Sequence, residues 1–168
     1  NRVSTHQMLA ALCEKHHLTS MGFVGDNRHC ISFSERYEAF FLTAAEYGVD
    51  TQSYNIIADD SNYSQDGWMT EQLQKKERLP QLFFCANDVL AQVLIHSLTE
   101  LGLRVPEDVL VCGFDGLPSV NTPMNSLTTV RIPCKELGTC AAQLLFQKIQ
   151  YPGSIPFTIY LDTQVHFR

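Results

Sequence analysis

The chain has 168 residues, 45% of them apolar and 18% charged, with a formal net charge of −6. That composition fits one globular domain or two small lobes and excludes a disordered chain. The negative balance excludes general affinity for phosphate backbones, and the short Lys75, Lys76, Arg78 cluster reads as a solvated helix end.

No apolar run reaches bilayer length, so no membrane partner is expected. Residues Asn1 to His6 are polar and open no secretory signal. The 6 cysteines are scattered without a C-x-x-C pair, and His16 and His17 are adjacent. That pattern predicts reduced thiols in a cytoplasmic protein, with no metal site, no disulfide framework and no cofactor.

In chain order, Thr5 to His17 predicts a helix with Met8, Leu9 and Leu12 on one face. Met21 to Gly25 predicts a short buried strand. Ser34 reads as the cap of a second helix, in which Phe33, Tyr37, Phe40, Phe41 and Ala44 recur at helical spacing until Gly48. Tyr54 to Ala58 predicts a strand and Gln65 to Lys76 a helix with Trp68 and Leu73 inward. Gln81 to Ala86 is a strongly apolar strand. Asp88 to Leu101 follows as a helix with Val89, Val93, Leu94 and Leu98 inside, ended by Gly102. Val109 to Phe114 is another buried strand, and a loop rich in Gly, Pro, Ser and Asn runs from Asp115 to Ser126. Leu127 to Arg131 predicts a strand, Lys135 to Gln150 a helix, and Phe157 to Phe167 a final extended stretch. This alternation predicts an α/β fold, a three-layer αβα arrangement around a parallel sheet.

Open parallel sheets bind ligands beyond the carboxyl ends of their strands. That rule selects Asp26, Ser32 and Arg36 after the first strand, Asn87 and Asp88 after the apolar strand, and Asp115 and Gly116 after Val109 to Phe114. Arg36 falls in the first turn of its predicted helix, where the macrodipole disfavours a cation. It is read either as a ligand contact or as a cation solvated or paired with Glu35 or Asp26. Asn87 can equally be a helix cap and Asp115 a turn residue. Together, a guanidinium, an amide and a carboxylate offer the mixed donors and acceptors that a polyhydroxylated ligand needs. No G-x-G-x-x-G, P-loop, G-x-S-x-G or H-E-x-x-H occurs, and no enzyme activity is expected.

These stretches resemble the effector domain of the lactose/galactose repressor family. The resemblance rests on Met21 to Asp26 with Ser34 to Phe40, on Leu82 to Ala91, on Leu101 to Asp115 and on Leu127 to Pro133, in order and at matching spacing. It implies a type I periplasmic-binding-protein-like fold with the effector held between lobes. The implied division is a remnant of the N-terminal lobe at 1–20 and a nearly complete C-terminal lobe at 21–124. A crossover with a second N-terminal remnant would span 125–156, and final strands would return to the C-terminal lobe at 157–168. Both remnants would carry apolar faces without partners in this chain.

By the same resemblance, Arg36, Asn87, Asp115 and Ser32 match ligand-binding positions. Ala39 departs from the family's usual glycine, Asn62, with Tyr63 beside it, stands where many members place a stacking aromatic, and Cys134 stands where some members place another. The implied function is effector sensing in a bacterial transcriptional repressor, with a mono- or disaccharide as effector. The implied partners are a second copy, through the helix from Asp88 and the loop from Gly116 to Pro123, and operator DNA through a headpiece outside this chain. The alternative is a periplasmic sugar-binding protein of a transporter.

Overall fold

The computed structural model describes residues 1–117 and 127–168. The greater part of the expected loop from Asp115 to Ser126, and of the partner-facing stretch within it, lies outside the described residues. The elements are α1 (Arg2–His16), β1 (Met21–Val24), α2 (Ile31–Tyr47), α3 (Trp68–Gln74) and β2 (Leu82–Cys85). They continue as α4 (Asp88–Glu100), β3 (Leu110–Asp115), β4 (Thr128–Arg131), α5 (Cys134–Gln150) and β5 (Gln164–His166).

The strands form one 5-stranded sheet in the order β1-β2-β3-β4-β5. β1 to β4 run parallel and β5 returns antiparallel on β4. Every residue of β1 and β2 is buried, as expected of strands covered on both faces. From β1 the chain first moves outward to the bridge between Val24 and Ile56, then passes back over β1 to reach β2. Right-handed crossovers therefore put α2 on one face and α3 with α4 on the other. The direction of winding reverses between β1 and β2, the place where open α/β sheets take their ligands.

The core lies between these layers. Phe23, Phe40 and Phe84 meet with ring centroids 5.7–6.4 Å apart, and Met8, Leu9, Met21 and Leu94 close around them. Aromatic pairs at this spacing add to the burial of their large apolar area.

Several elements differ from the expectation. Helix α2 begins at Ile31 because Cys30, in extended conformation, is the residue before it and accepts from the Ser34 amide. Ser34 is thus inside the helix, not its cap. Tyr54 to Ala58 makes only the single bridge at Ile56, because the Asn55 side chain takes the Phe23 amide at 2.8 Å. Helix α3 starts at Trp68 rather than Gln65, since Asp59 and Asn62 hold the preceding backbone in side-chain-bonded turns. The final extended stretch pairs only at Gln164–His166, opposite the short β4.

Helix α1 was expected as a remnant with an unpartnered face. Its buried side, Ser4, Thr5, Met8, Leu9, Leu12 and Cys13, instead joins the core that α2 and the sheet build. Ser4 also bonds Thr163 ahead of β5. Helix α5 packs little of its surface away. None of its residues is buried, and Leu145, Phe146 and Ile149 stand 62%, 73% and 66% exposed.

Candidate functional site

Arg36 lies in the second turn of α2, so its placement gains nothing from the dipole argument made on the predicted helix start. Its anomaly is burial. The buried stripe of α2 is Arg36, Ala39, Phe40, Thr43 and Ala44, and Arg36 occupies the first position of that stripe. A cation only 4% exposed must be paired and hydrogen-bonded. Nη1 donates to the Ala86 carbonyl at 2.6 Å, Nη2 donates to Asp115 Oδ1 at 3.1 Å, and Nε donates to Asn1 Oδ1 at 3.3 Å. The guanidinium carbon sits 3.7 Å from the centroid of the Phe114 ring, a cation–π contact. The alternative partners are engaged elsewhere: Glu35 pairs with Arg2, and Asp26 accepts from the Arg28 amide.

Asp115 closes β3 with φ 113, a region that non-glycine residues rarely enter. Such strain persists only where the surroundings hold it in place. Here the Asp115 carbonyl accepts from the Ile132 amide while its carboxylate meets Arg36. Gly116, at φ 70, follows because a Cβ there would lie 2.8 Å from the Arg131 Cα. Burial pushes the Asp115 carboxyl above the ordinary range despite the pull of Arg36, and burial lowers Arg36 despite Asp115. The pair is therefore held in a site where both charges are short of water.

Asn87 caps α4, its Oδ1 accepting from the Leu90 amide at 2.9 Å. It directly follows Ala86, whose carbonyl takes Arg36, so the cap reading and proximity to the pair hold together. Ser32 lies one turn before Arg36 on α2, and Asn1 Nδ2 reaches its Oγ at 3.5 Å. The structure thus brings Arg36 and Asp115 into contact, with Asn87 and Ser32 on neighbouring elements of the same rim.

Sequence reasoning passed over Asn1 and Phe114, and placed Asp88 at a strand end without giving it a role. Asn1 binds both Glu35 and Arg36 from the start of α1, and nothing in the local pattern announces this. Asp88 is 1% exposed and accepts from Thr129 Oγ1 at 2.7 Å and from the Leu117 amide at 2.8 Å. Its buried register with Ala91, Leu94 and Leu98 on α4 was a usable signal, because a carboxylate on an apolar stripe needs partners. Val89, expected inside, is instead 39% exposed. No group of three or more His, Cys, Asp or Glu side chains suited to a metal occurs among the described residues.

The profile of the periplasmic binding protein-like domain matches residues 10–168. The HTH-type transcriptional repressor PurR of Mannheimia succiniciproducens is 29% identical over 150 residues, covering 88% of this chain and 44% of that protein. The chain thus spans less than half the length of that relative. A LacI-family transcriptional regulator from Burkholderia phymatum superposes with a TM-score of 0.79 at 26% identity, covering 98% of this chain and 60% of that one. A LacI-family regulator from Enterococcus faecalis, solved with bound ribose, gives a TM-score of 0.79 at 21% identity, covering 98% of this chain and 59% of that one.

Proposed function

We propose, from the premise that this chain belongs to the periplasmic binding protein-like family and has LacI-type regulators among its relatives, that it is the effector-sensing part of a transcriptional repressor. The observation that carries this reading is the Arg36–Asp115 pair, seated on Phe114 at the carboxyl rim of the parallel sheet.

The ligand is a sugar. Nη1 and Nη2 of Arg36 each carry a second N–H beyond their bonds to Ala86 and Asp115, which sugar hydroxyls can take, Asp115 accepts from such hydroxyls, and Asn87 offers its amide nitrogen because the helix cap uses its oxygen. Ser32 adds a hydroxyl. The ribose seen in the Enterococcus faecalis regulator supports this class of ligand. Arg36 also bonds the Ala86 backbone just past β2 and the side chain at the end of β3, so a ligand that competes for its donors is coupled to both strand ends.

The lobe division follows. The sheet with α1 to α4 forms one lobe, and α5 with the exposed Ile155, Phe157 and Tyr160 belongs to a second lobe built from chain outside this sequence. Closure of the lobes on the sugar shifts the balance between two arrangements, and a headpiece outside this chain reads that shift as operator affinity. The exposed side of α4, with Val89, Gln92, Val93 and His96, faces a second copy. The protein acts in the cytoplasm and catalyses no reaction. Its repressor relatives do not favour the transporter-protein alternative.

The test is a thermal-shift screen of mono- and disaccharides, D-ribose included, on the intact protein and its Arg36→Ala variant. A sugar that raises the wild-type midpoint and leaves the variant unmoved is the expected result. Equal shifts in both proteins, or no shift with any sugar, overturn the reading.

A further inference from the structure

We infer that Asp88 is the positioning residue of this site: it touches no ligand, but it fixes the backbone that aims Asp115. The inference rests on the ligand-site reading above and goes beyond it in assigning how the strained Asp115 is held.

The geometry is specific. One carboxylate oxygen of Asp88 takes the Thr129 hydroxyl of β4, and the other takes the Leu117 amide, two residues after Asp115. Asp115 and Gly116 therefore lie between two anchors, the β3–β4 ladder and the Leu117 amide. Both residues have positive φ, at 113 and 70, and a turn of that kind opens unless its exit is tied. Gly113 makes the tie possible. A Cβ at that position would collide with the Asp88 carboxylate, so only glycine lets α4 bring its first turn down onto β3. The α4 amino terminus then favours the negative charge.

Nothing else in the fold calls for a carboxylate here. Among the described residues it forms no ion pair, it is 1% exposed, and it feels the charges of Asp115 and Arg36. A buried anion without a cation is costly unless its bonds do something a neutral group would not. Here they join α4, β3 and β4 at the rim that holds Arg36 and Asn87.

Isosteric replacement separates positioning from charge. In Asp88→Asn the amide oxygen still accepts from Leu117, and Nδ2 donates to the Thr129 hydroxyl, which can accept as well as donate. Asp88→Ala loses both bonds. The experiment takes the intact protein and compares wild type, Asp88→Asn, Asp88→Ala, Thr129→Val and, as site control, Arg36→Ala. Hydrogen exchange at the Gly116 and Leu117 amides is read first, and D-ribose binding by calorimetry second.

The expected result is exchange faster by about tenfold or more in Asp88→Ala, at these amides and not in the core strands β1 and β2. Asp88→Asn restores exchange to within about twofold of wild type, and Thr129→Val falls between. D-ribose affinity follows the same order. Unchanged Leu117 exchange in Asp88→Ala overturns the proposal, as does unchanged ribose affinity in that variant when Arg36→Ala abolishes it. If Asp88→Ala fails to fold, the Asp88→Asn and Thr129→Val pair decides by the same amides. Ribose binding that Arg36→Ala leaves intact removes the ligand-site reading instead, and the exchange result still judges Asp88.

Discussion

Replacing Arg36 by alanine removes a guanidinium whose side chain is 5% exposed from a carboxylate that is 24% exposed. The Ala86 carbonyl loses a 2.6 Å bond, and the Phe114 ring loses the cation stacked on it. Truncating one member of a buried pair costs about 3–5 kcal/mol, most of it from the charge left behind. The Asp115 carboxylate reaches some water, which returns part of that, so the expected loss is about 2–4 kcal/mol. Urea unfolding of the intact protein at neutral pH measures it, with the slope checked for constancy. The double variant Arg36→Met, Asp115→Asn removes both charges while keeping a stem over Phe114. It should regain at least about 1 kcal/mol over Arg36→Met alone, because the stranded anion is gone. A loss below about 1 kcal/mol in the alanine variant, or strict additivity in the double, would refute the claim that the pair is desolvated.

Gly113→Ala should cost about 2–3 kcal/mol by urea unfolding, because the new methyl meets the Asp88 carboxylate and lies 3.3 Å from the Ala91 Cβ. A neutral outcome would mean that α4 can lift from β3. Burial raises the Asp88 carboxyl above its ordinary 3.8, so the folded state binds this proton more tightly than the unfolded chain. Wild-type stability relative to Asp88→Asn should therefore fall as pH rises from 3.8 through the raised native value, and a flat difference across that window would refute the assignment. Ellman's reagent should modify the exposed Cys30 and Cys134 in the native protein, while Cys13, Cys85 and Cys112 react only after unfolding. Burial pushes the Cys13 thiol up to about 11 and the other two upward as well, and rapid native labelling of any of them would contradict the packing.

The strands and most helices were legible because their signals are local. Leu82 to Cys85 is an unbroken apolar run, and Gly48 ends α2 at φ 64, as the sequence suggested. The misplacements also have local causes that propensity does not capture. Cys30 is an unremarkable residue that happens to be extended before α2, and Asn55 displaces a ladder bond with its side chain. The packing partners of α1 were out of reach. An apolar face says that a partner exists without saying which one, and here the partners are α2 and the sheet.

Arg36 and Asp115 could be named from the chain because the ends of parallel strands are known places for ligands. Asp88 could not be given its partners in the same way. Its bonds go to Leu117 and Thr129, separated from it by 29 and 41 positions, and the space for them exists only because Gly113 lacks a side chain.

The amino-acid order alone settled the alternation of strand and helix, the class of the sheet and the chemical types available at its rim, since each depends on neighbours a few positions apart. Folding in three dimensions decided which of those groups touch. It put a cation and a carboxylate on the inward stripes of α2 and α4, where burial forces each to find a bond across the sheet. Distance in space, not spacing along the chain, sets the strength of such bonds, so they emerge only when the layers close.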